Sequence, residues 1–433
     1  MSQLKKSLKL IDGISLLIGI TIGSAIFATP QLIATYLSSF STILLLWIFI
    51  SFFVLIGSLI YAELGSRFPS TGGEYVYISK AFGPLWGFIF GWAQLLIIRT
   101  SPAAGISLIT ANYIGYFIDL EQFEKNFLAV CIIILFGIIN FIGVEKASAY
   151  NKFSSLIKTI GLALFAFIGL LFFNGSFTQL NLSSEPLQDL GYLGNVVAAS
   201  ILILFSYLGW DRVGYVAGEM KNPKEVIPKT MFYGISTVAI IYIAANFLYH
   251  SVLGLEGVRD SQIVASDTAL IVFGSSGAAI ISLIVIISAT GSINGTMMSA
   301  SRLYYAMAKD NLLFKSFGYV HPKFKTPSNA IIAHCVWGVI ILVLRQNFET
   351  IVSGMVFVIL IFYIATTLAF FKFRRFRIGE DGYQIPFYPY LPLLYLVVLV
   401  SLVSLRVYYQ FELSIQDLSF VLSGVPIYFL FFK

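Results

Sequence analysis

An all-α polytopic membrane protein with twelve transmembrane helices is the fold class the sequence predicts, from its composition, the length of its apolar runs and the side on which its cations fall. Of 433 residues, 58% are hydrophobic and 11% charged, with a mean hydropathy of +0.88, so a water-soluble fold would lack the polar residues to cover its surface. Apolar runs of roughly 20 residues, each long enough to cross the hydrocarbon core as a helix, recur from end to end. They read as spans 10–37, 41–64, 84–115, 127–143, 154–174, 194–217, 231–254, 276–301, 328–345, 350–371, 388–408 and 415–432. The runs are continuous, whereas barrel strands alternate over short segments, which selects helices. The first run follows Lys5, Lys6 and Lys9 as in a signal peptide, but it is too long and no small-residue cleavage site follows, so it is expected to stay in the mature protein.

An even number of spans puts both termini on one side. Twenty of the 27 Lys and Arg residues fall in loops on that side, against Lys125, Arg259, Arg345 and Arg406 on the other, so both termini are expected in the cytoplasm of a cell-membrane protein. The net charge of +6 is then a topology signal and no nucleic-acid partner is expected. Cys131 and Cys335 both sit in predicted spans, where they read as small buried hydrophobes and form no disulfide framework. No metal-ligand spacing, cofactor motif, G-x-S-x-G elbow, Walker loop or H-E-x-x-H is present, so neither a metal, a cofactor nor an enzyme is expected. A channel would need a selectivity loop or charged rings, and neither is apparent.

The chain reads as a single transmembrane domain, with its longest polar stretches at 64–83, 175–193, 254–275 and 302–327. Two spans are interrupted by small or turn-prone residues, the first at Gly23-Ser24-Ala25 and the sixth at Ser206-Tyr207-Leu208-Gly209. Breaks in corresponding spans of two halves point to an inverted-repeat transporter with its substrate near the midplane. A break in lipid frees N–H and C=O groups that cost several kcal/mol each unless satisfied. A zwitterion satisfies both kinds: its carboxylate accepts from the amides of Ser24 to Phe27 at a positive helix end, and its ammonium donates to carbonyls before the breaks. The plainer reading is that such glycines let helices pack closely.

Several motifs in register then carry a family likeness: GITIGSAIFATP in the first span, SRFPSTGGEYVYISKAFGPLWGFIFGW from the second to the third, FSYLGWDRVGYVAGEMKNPKEVIP in the sixth, and SASRLYYAMAKDNLLF with HPKFKTPSNA after the eighth. From about residue 8 to 375 the chain resembles the amino acid–polyamine–organocation superfamily, and within it the L-type amino acid transporter branch. The resemblance implies a leucine-transporter-type fold: inverted five-helix repeats at 10–174 and 194–371, with two peripheral helices at 388–432. It implies that Thr21 and Ile22 offer carbonyls to a substrate ammonium and that Ser24 and Ala25, beside Gly23, offer amides to its carboxylate. In the sixth span Phe205 matches an aromatic that closes over substrate, Ser206 and Leu208 match carbonyl donors, and Gly209 matches the break. The chain departs from type at Ala25 and Leu208, where relatives carry glycine, so side-chain selectivity does not transfer directly.

Lys158 lies inside the fifth predicted span, where a cation costs at least a few kcal/mol. The resemblance makes its ammonium a fixed substitute for the sodium ion of sodium-coupled relatives, with partners in the first break and hydroxyls near Ser299 or Ser301; an ammonium so placed can also exchange a proton. The alternative is a lysine snorkelling to the cytoplasmic face. Arg99 reads as a packing or snorkelling residue, Asp211 and Arg212 as inner-gate or structural charges within reach of Glu219, and Glu63 with Arg67 as a helical ion pair. The function expected is secondary active transport of neutral L-amino acids by alternating access, as sodium-independent exchange or proton-coupled uptake. Transport of cationic amino acids or polyamines, and a non-transporting membrane receptor, stay open beside it. The partners expected are an amino acid substrate and the lipid bilayer; loop 116–126 has no cysteine, so no disulfide-linked heavy subunit is expected.

Overall fold

The computed structural model describes residues 8–68, 73–173, 175, 180, 182–379 and 382–432; the side chains of 144–146 and 215–219 are outside the described set. Lys5, Lys6, Lys433 and the side chains of Lys146 and Glu219 therefore lie outside it, and with Glu219 the expected reach of Asp211 and Arg212 toward it. Among the described residues the regular structure is helical, apart from isolated bridges between Leu8 and Met220 and between Ser39 and Ser183.

The first span is broken: α1 runs Leu10–Thr21, a 3-10 turn spans Ala25–Phe27, and α2 runs Thr29–Tyr36. α3 (Phe40–Arg67) starts at Ser39, whose Oγ accepts from the Thr42 amide and satisfies one of the free donors at a helix start. The short α4 (Glu74–Phe82) ends at Gly83, whose φ of +96° turns the chain into α5 (Pro84–Ala93), with proline in the first helical position. A π-helical stretch, Gln94–Ile98, joins α5 to α6 (Thr100–Ile114). α7 (Gln122–Ile142) and α8 (Val144–Phe172) complete the first half. The sixth span is α9 (Gly191–Tyr207) followed by a 3-10 segment, Trp210–Glu219. Then come α10 (Pro223–Asp260), α11 (Val264–Lys309), a 3-10 turn at Lys315–Gly318, α12 (Ser328–Arg345), α13 (Phe348–Arg375), α14 (Tyr390–Tyr409), α15 (Phe411–Leu422) and α16 (Gly424–Phe431).

Among the described residues eleven helical stretches are long and apolar enough to cross a membrane, and α1 with α2 makes the twelfth expected span. The polar stretches are more helical than expected. Residues 64–83 contain α4, α11 continues to Lys309 inside 302–327, and 254–275 folds as helical segments 255–260 and 264–273. Gly254 (φ 68°) and Gly274 (φ 74°) make the corners that set the last two segments off from the long helices, where a loop was expected. Such short helices lack the long apolar run by which spans are recognised.

α10 packs along α3 and α1, α11 along α8 and α6, and α13 against α6, α9 and α14. The ends distal to the termini are pinned by a buried cluster in which Asp417 pairs with Arg345 at 2.7 Å and Arg406 at 2.9 Å, joining α15 to α12 and α14. Both cysteines are free, and Cys131 is exposed on the bundle surface, a correction to the expectation that both are buried hydrophobes.

Candidate functional site

The two breaks meet on a single cavity of about 520 Å³. α1 stops because Ile22 turns extended (φ −68°, ψ 103°), after its amide has donated to the Ile18 carbonyl at 2.8 Å. The following 3-10 turn closes with Phe27 N to Ser24 O at 3.1 Å and Ala28 N to Ala25 O at 2.9 Å. A turn of this kind leaves the amides that open it without an acceptor inside the turn. In the sixth span α9 ends at Tyr207, Leu208 is extended (ψ 143°), and Gly209 takes a φ of +115°. A Cβ on Gly209 would lie 2.7 Å from Ile20 Cγ2 and 3.3 Å from the Ile20 carbonyl oxygen, so glycine is required where one break touches the other. At Gly23 a Cβ would meet nothing nearer than the Thr21 carbonyl oxygen at 3.9 Å and Ser292 Oγ at 4.0 Å.

Polar side chains tie the breaks together. The Tyr242 hydroxyl, on α10, lies 2.9 Å from both the Thr21 and the Ser206 carbonyl oxygens. A phenol has one proton, so it serves one carbonyl at a time and leaves the other for another donor. Thr29 Oγ1 lies 2.9 Å from Ser206 Oγ and donates to Ala25 O at 3.1 Å, while Tyr113 Oη donates to Phe27 O at 3.0 Å. Neither Tyr242 nor Thr29 stood out in the sequence: a tyrosine in the run IIYIAANF carries no local mark of where its hydroxyl goes.

Of the residues expected at the site, Thr21, Gly23, Ser24 and Ala25 line the cavity from the first span, and Phe205, Ser206, Leu208 and Gly209 from the sixth. The Ile22 side chain is fully buried in the apolar core and does not line it. Lys158 lines it too, 6% exposed, with no carboxylate at ion-pair distance among the described residues. Its expected hydroxyl partners are a correction. α8 and α11 run antiparallel: Ser154 Oγ donates to Ile287 O at 2.7 Å, and a Cβ on Gly161 would lie 3.0 Å from Ile284 Cγ2. Lys158 is therefore level with Ile287 and its neighbours Ser288 and Ser292, and Ser299 lies about 18 Å farther along the helix axis at 1.5 Å per residue. Ser299 Oγ instead donates to Thr296 O at 3.0 Å near the cavity mouth, and Ser301 Oγ donates to Met298 O at 3.3 Å away from the cavity lining.

Of the packing or snorkelling role expected for Arg99, the snorkelling part is corrected: the residue is buried at 6% exposure and lines the cavity. The π-helical stretch turns it there, with Arg99 N bonded to Gln94 O at 3.0 Å and Nε donating to Gln94 Oε1 at 2.8 Å. Such local widening of a helix recurs at functional positions. Asp211, Arg212 and Glu74 complete the charged lining. Glu74 is 4% exposed, accepts a hydrogen bond from the Tyr61 hydroxyl, and burial with Asp211 nearby pushes its carboxyl up to about 8. The expected Glu63–Arg67 pair is present at 3.0 Å.

The cavity is lined by α1 from Ser15 to Thr21, by the terminus-side half of α8 from Ser148 and by the turns of α11 between Gly291 and Ser299. On the opposite side Phe205 packs edge-on against Phe348 at 5.8 Å, Tyr36 donates to Glu349, and Arg259 donates to Ala34 O at 2.6 Å and Leu37 O at 3.0 Å. These contacts seal the end of α2, so the cavity opens toward the termini.

The sequence pattern of the family described as "Amino acid permease" matches residues 8–432. The chain is 32% identical over 396 residues to the serine/threonine exchanger SteT of Bacillus subtilis (strain 168), covering 89% of this chain and 87% of that protein. It is 28% identical over 391 residues to the b(0,+)-type amino acid transporter 1 of Homo sapiens, covering 86% and 77%. It is also 28% identical over 375 residues to the human large neutral amino acids transporter small subunit 2, covering 84% and 69%. With two broken helices bordering one cavity and the permease pattern matched over residues 8–432, the chain belongs to the amino acid permease family of the amino acid–polyamine–organocation superfamily.

Proposed function

We propose that this permease moves neutral L-amino acids by alternating access, without sodium, from a site formed by main-chain groups of the two breaks. The observation that carries this reading is the convergence of free helix ends: carbonyls of Thr21 and Ser206 and the amides opening the 3-10 turn at Ala25 border the same cavity. A zwitterionic head supplies three donors and a two-oxygen acceptor to that set. The side chain then points to a wall of Ile98, Pro102, Ile106, Met355 and Ile359, which favours an uncharged substrate. The relatives' names extend from serine and threonine to large neutral amino acids, in keeping with it.

Lys158, on α8, takes the place of a mobile cation between the first break and α11, which supports sodium independence. The exchange of contacts also supports two inverted repeats at 10–174 and 194–371, with 388–432 peripheral. α3 packs on α10 and α6 on α11, each with its counterpart, while α8 on α11 mirrors α13 on α6. In this reading the termini are cytoplasmic, the membrane is the cell membrane, the cavity is inward-facing, the protein catalyses no covalent chemistry, and it works without a disulfide-linked heavy subunit. Uptake by the purified protein in liposomes, over a panel of amino acids with imposed sodium or pH gradients, tests it. Saturable flux of neutral amino acids, accelerated by internal substrate and indifferent to sodium, is expected; sodium-dependent flux, or flux of cationic amino acids alone, overturns it.

A further inference from the structure

α3 and α4 carry two buried carboxylates that differ in company. Glu63 is satisfied by Arg67, by Arg374 at 3.1 Å and by the Ile385 amide at 2.8 Å. Glu74 has no cation within ion-pair distance among the described residues, although it is 4% exposed and borders the cavity. Among the described residues its one hydrogen bond is from the Tyr61 hydroxyl of α3. The groups facing it are Tyr77 on its own helix, Arg99 from the third span, Asp211 and Arg212 after the second break, Tyr363 of α13 and Tyr395 of α14. Arg99 spends its Nε on Gln94.

Building on the permease reading, we infer that Glu74 is a proton-binding site whose occupancy is coupled to closing of the cavity on the terminus side. An ionised carboxylate without a paired cation depends on the water of the open cavity, and closing the cavity removes that water. The neutral acid loses far less on drying, so protonation favours the closed form and ionisation the open one. By linkage, acid on the terminus side drives the cavity shut and alkali holds it open. Burial and Asp211 put the Glu74 carboxyl at about 8, inside a range that ordinary conditions cross.

Two readouts on the purified full chain test this without needing a known substrate. In infrared difference spectra taken through a pH titration, a protonated-carboxyl stretch should disappear with a midpoint near 8 and be missing in Glu74→Gln. Tyr61→Phe removes the donor that steadies the anion and should move the midpoint to higher pH. Asp211→Asn removes the neighbouring negative charge and should move it lower. In a Cys131→Ser, Cys335→Ser background, Ser299→Cys at the cavity mouth should react with a water-soluble maleimide with a rise from acidic to alkaline pH steeper than that of free cysteine, whose rate follows its thiolate fraction alone. Adding Glu74→Gln should make that reaction slow and reduce its pH dependence to that of free cysteine. A band that survives in Glu74→Gln, midpoints that move the other way, or labelling that follows free cysteine in the presence of Glu74 overturns the inference. Both readouts behaving as stated while no amino acid crosses the liposome membrane supports the proton site and counts against the transport reading alone.

Discussion

Glu63 and Glu74 stand eleven residues apart, near the same end of the bundle, and both are almost wholly inaccessible. Around Glu63 every acceptor direction is met: two guanidiniums and a backbone amide converge on it and hold the ends of α3 and α13 to the segment around Ile385. Around Glu74, among the described residues, a single phenol answers, and the residue borders the cavity. The lesson is that burial of a charge does not mark function; the absence of a partner does, because only an unpartnered group is free to respond when solvent, ligand or a moving helix changes its surroundings. Lys158 falls on the Glu74 side of this divide, and the Asp417 cluster with Arg345 and Arg406 on the Glu63 side.

The largest effect expected from this contrast is in Glu63→Gln. Two nearly buried guanidiniums lose their counter-charge, a change that costs about 3–5 kcal/mol in buried pairs, and the detergent-extracted protein should unfold at markedly lower temperature. A melting temperature equal to the parent's would show that the network is not structural. The two break glycines give the next largest difference. Gly209→Val meets Ile20 and a φ of +115°, so it should cost a few kcal/mol and reduce yield of folded protein. Gly23→Val projects into open cavity, so the protein should fold and lose substrate binding, measured as loss of ligand-induced thermal stabilisation. Equal behaviour of the two would place the binding site elsewhere.

Lys158→Ala should cut transport roughly tenfold or more, the equivalent of about 1.4 kcal/mol, with expression retained. Lys158→Arg should rescue poorly, because a planar fork does not reproduce a compact ammonium. A wild-type rate in the alanine variant would make Lys158 a snorkelling residue. The smallest stability effect belongs to Glu74→Gln. A carboxyl raised to about 8 adds stability that is complete below its unfolded value of 4.5 and lost as pH rises through 8. Glu74→Gln should therefore melt within about 1 kcal/mol of the parent at pH 6 and at or above it at pH 9. A large loss at pH 9 would put Glu74 in the same class as Glu63.

Much of this protein was legible because hydropathy is local. A run of apolar residues must cross the membrane whatever its neighbours do, so eleven long spans and the broken first one follow from composition and run length. The breaks were legible for the same reason: small residues and glycine at 23–25 and 206–209 weaken a helix by their own geometry. Thr21, Ser24, Phe205 and Gly209, from the two interrupted motifs, line one cavity.

Which face of a helix meets which neighbour is settled by packing, and there the sequence was silent. Lys158 was readable as a buried cation, yet its partner level on α11, near Ile287 instead of Ser299, depends on the antiparallel register of two helices far apart in the chain. Arg99 turns inward because the helix widens at Gln94–Ile98, a change of hydrogen bonding that no residue there announces. Tyr242 reaches both breaks, and Glu74 is left without a cation at ion-pair distance among the described residues, only once α3, α10 and the two broken helices are assembled. Run length and charge determined where the chain crosses, since each depends on a residue's own transfer from water to lipid. The tertiary structure alone decided which polar groups are paired and which are free, since that depends on distances between groups remote in sequence.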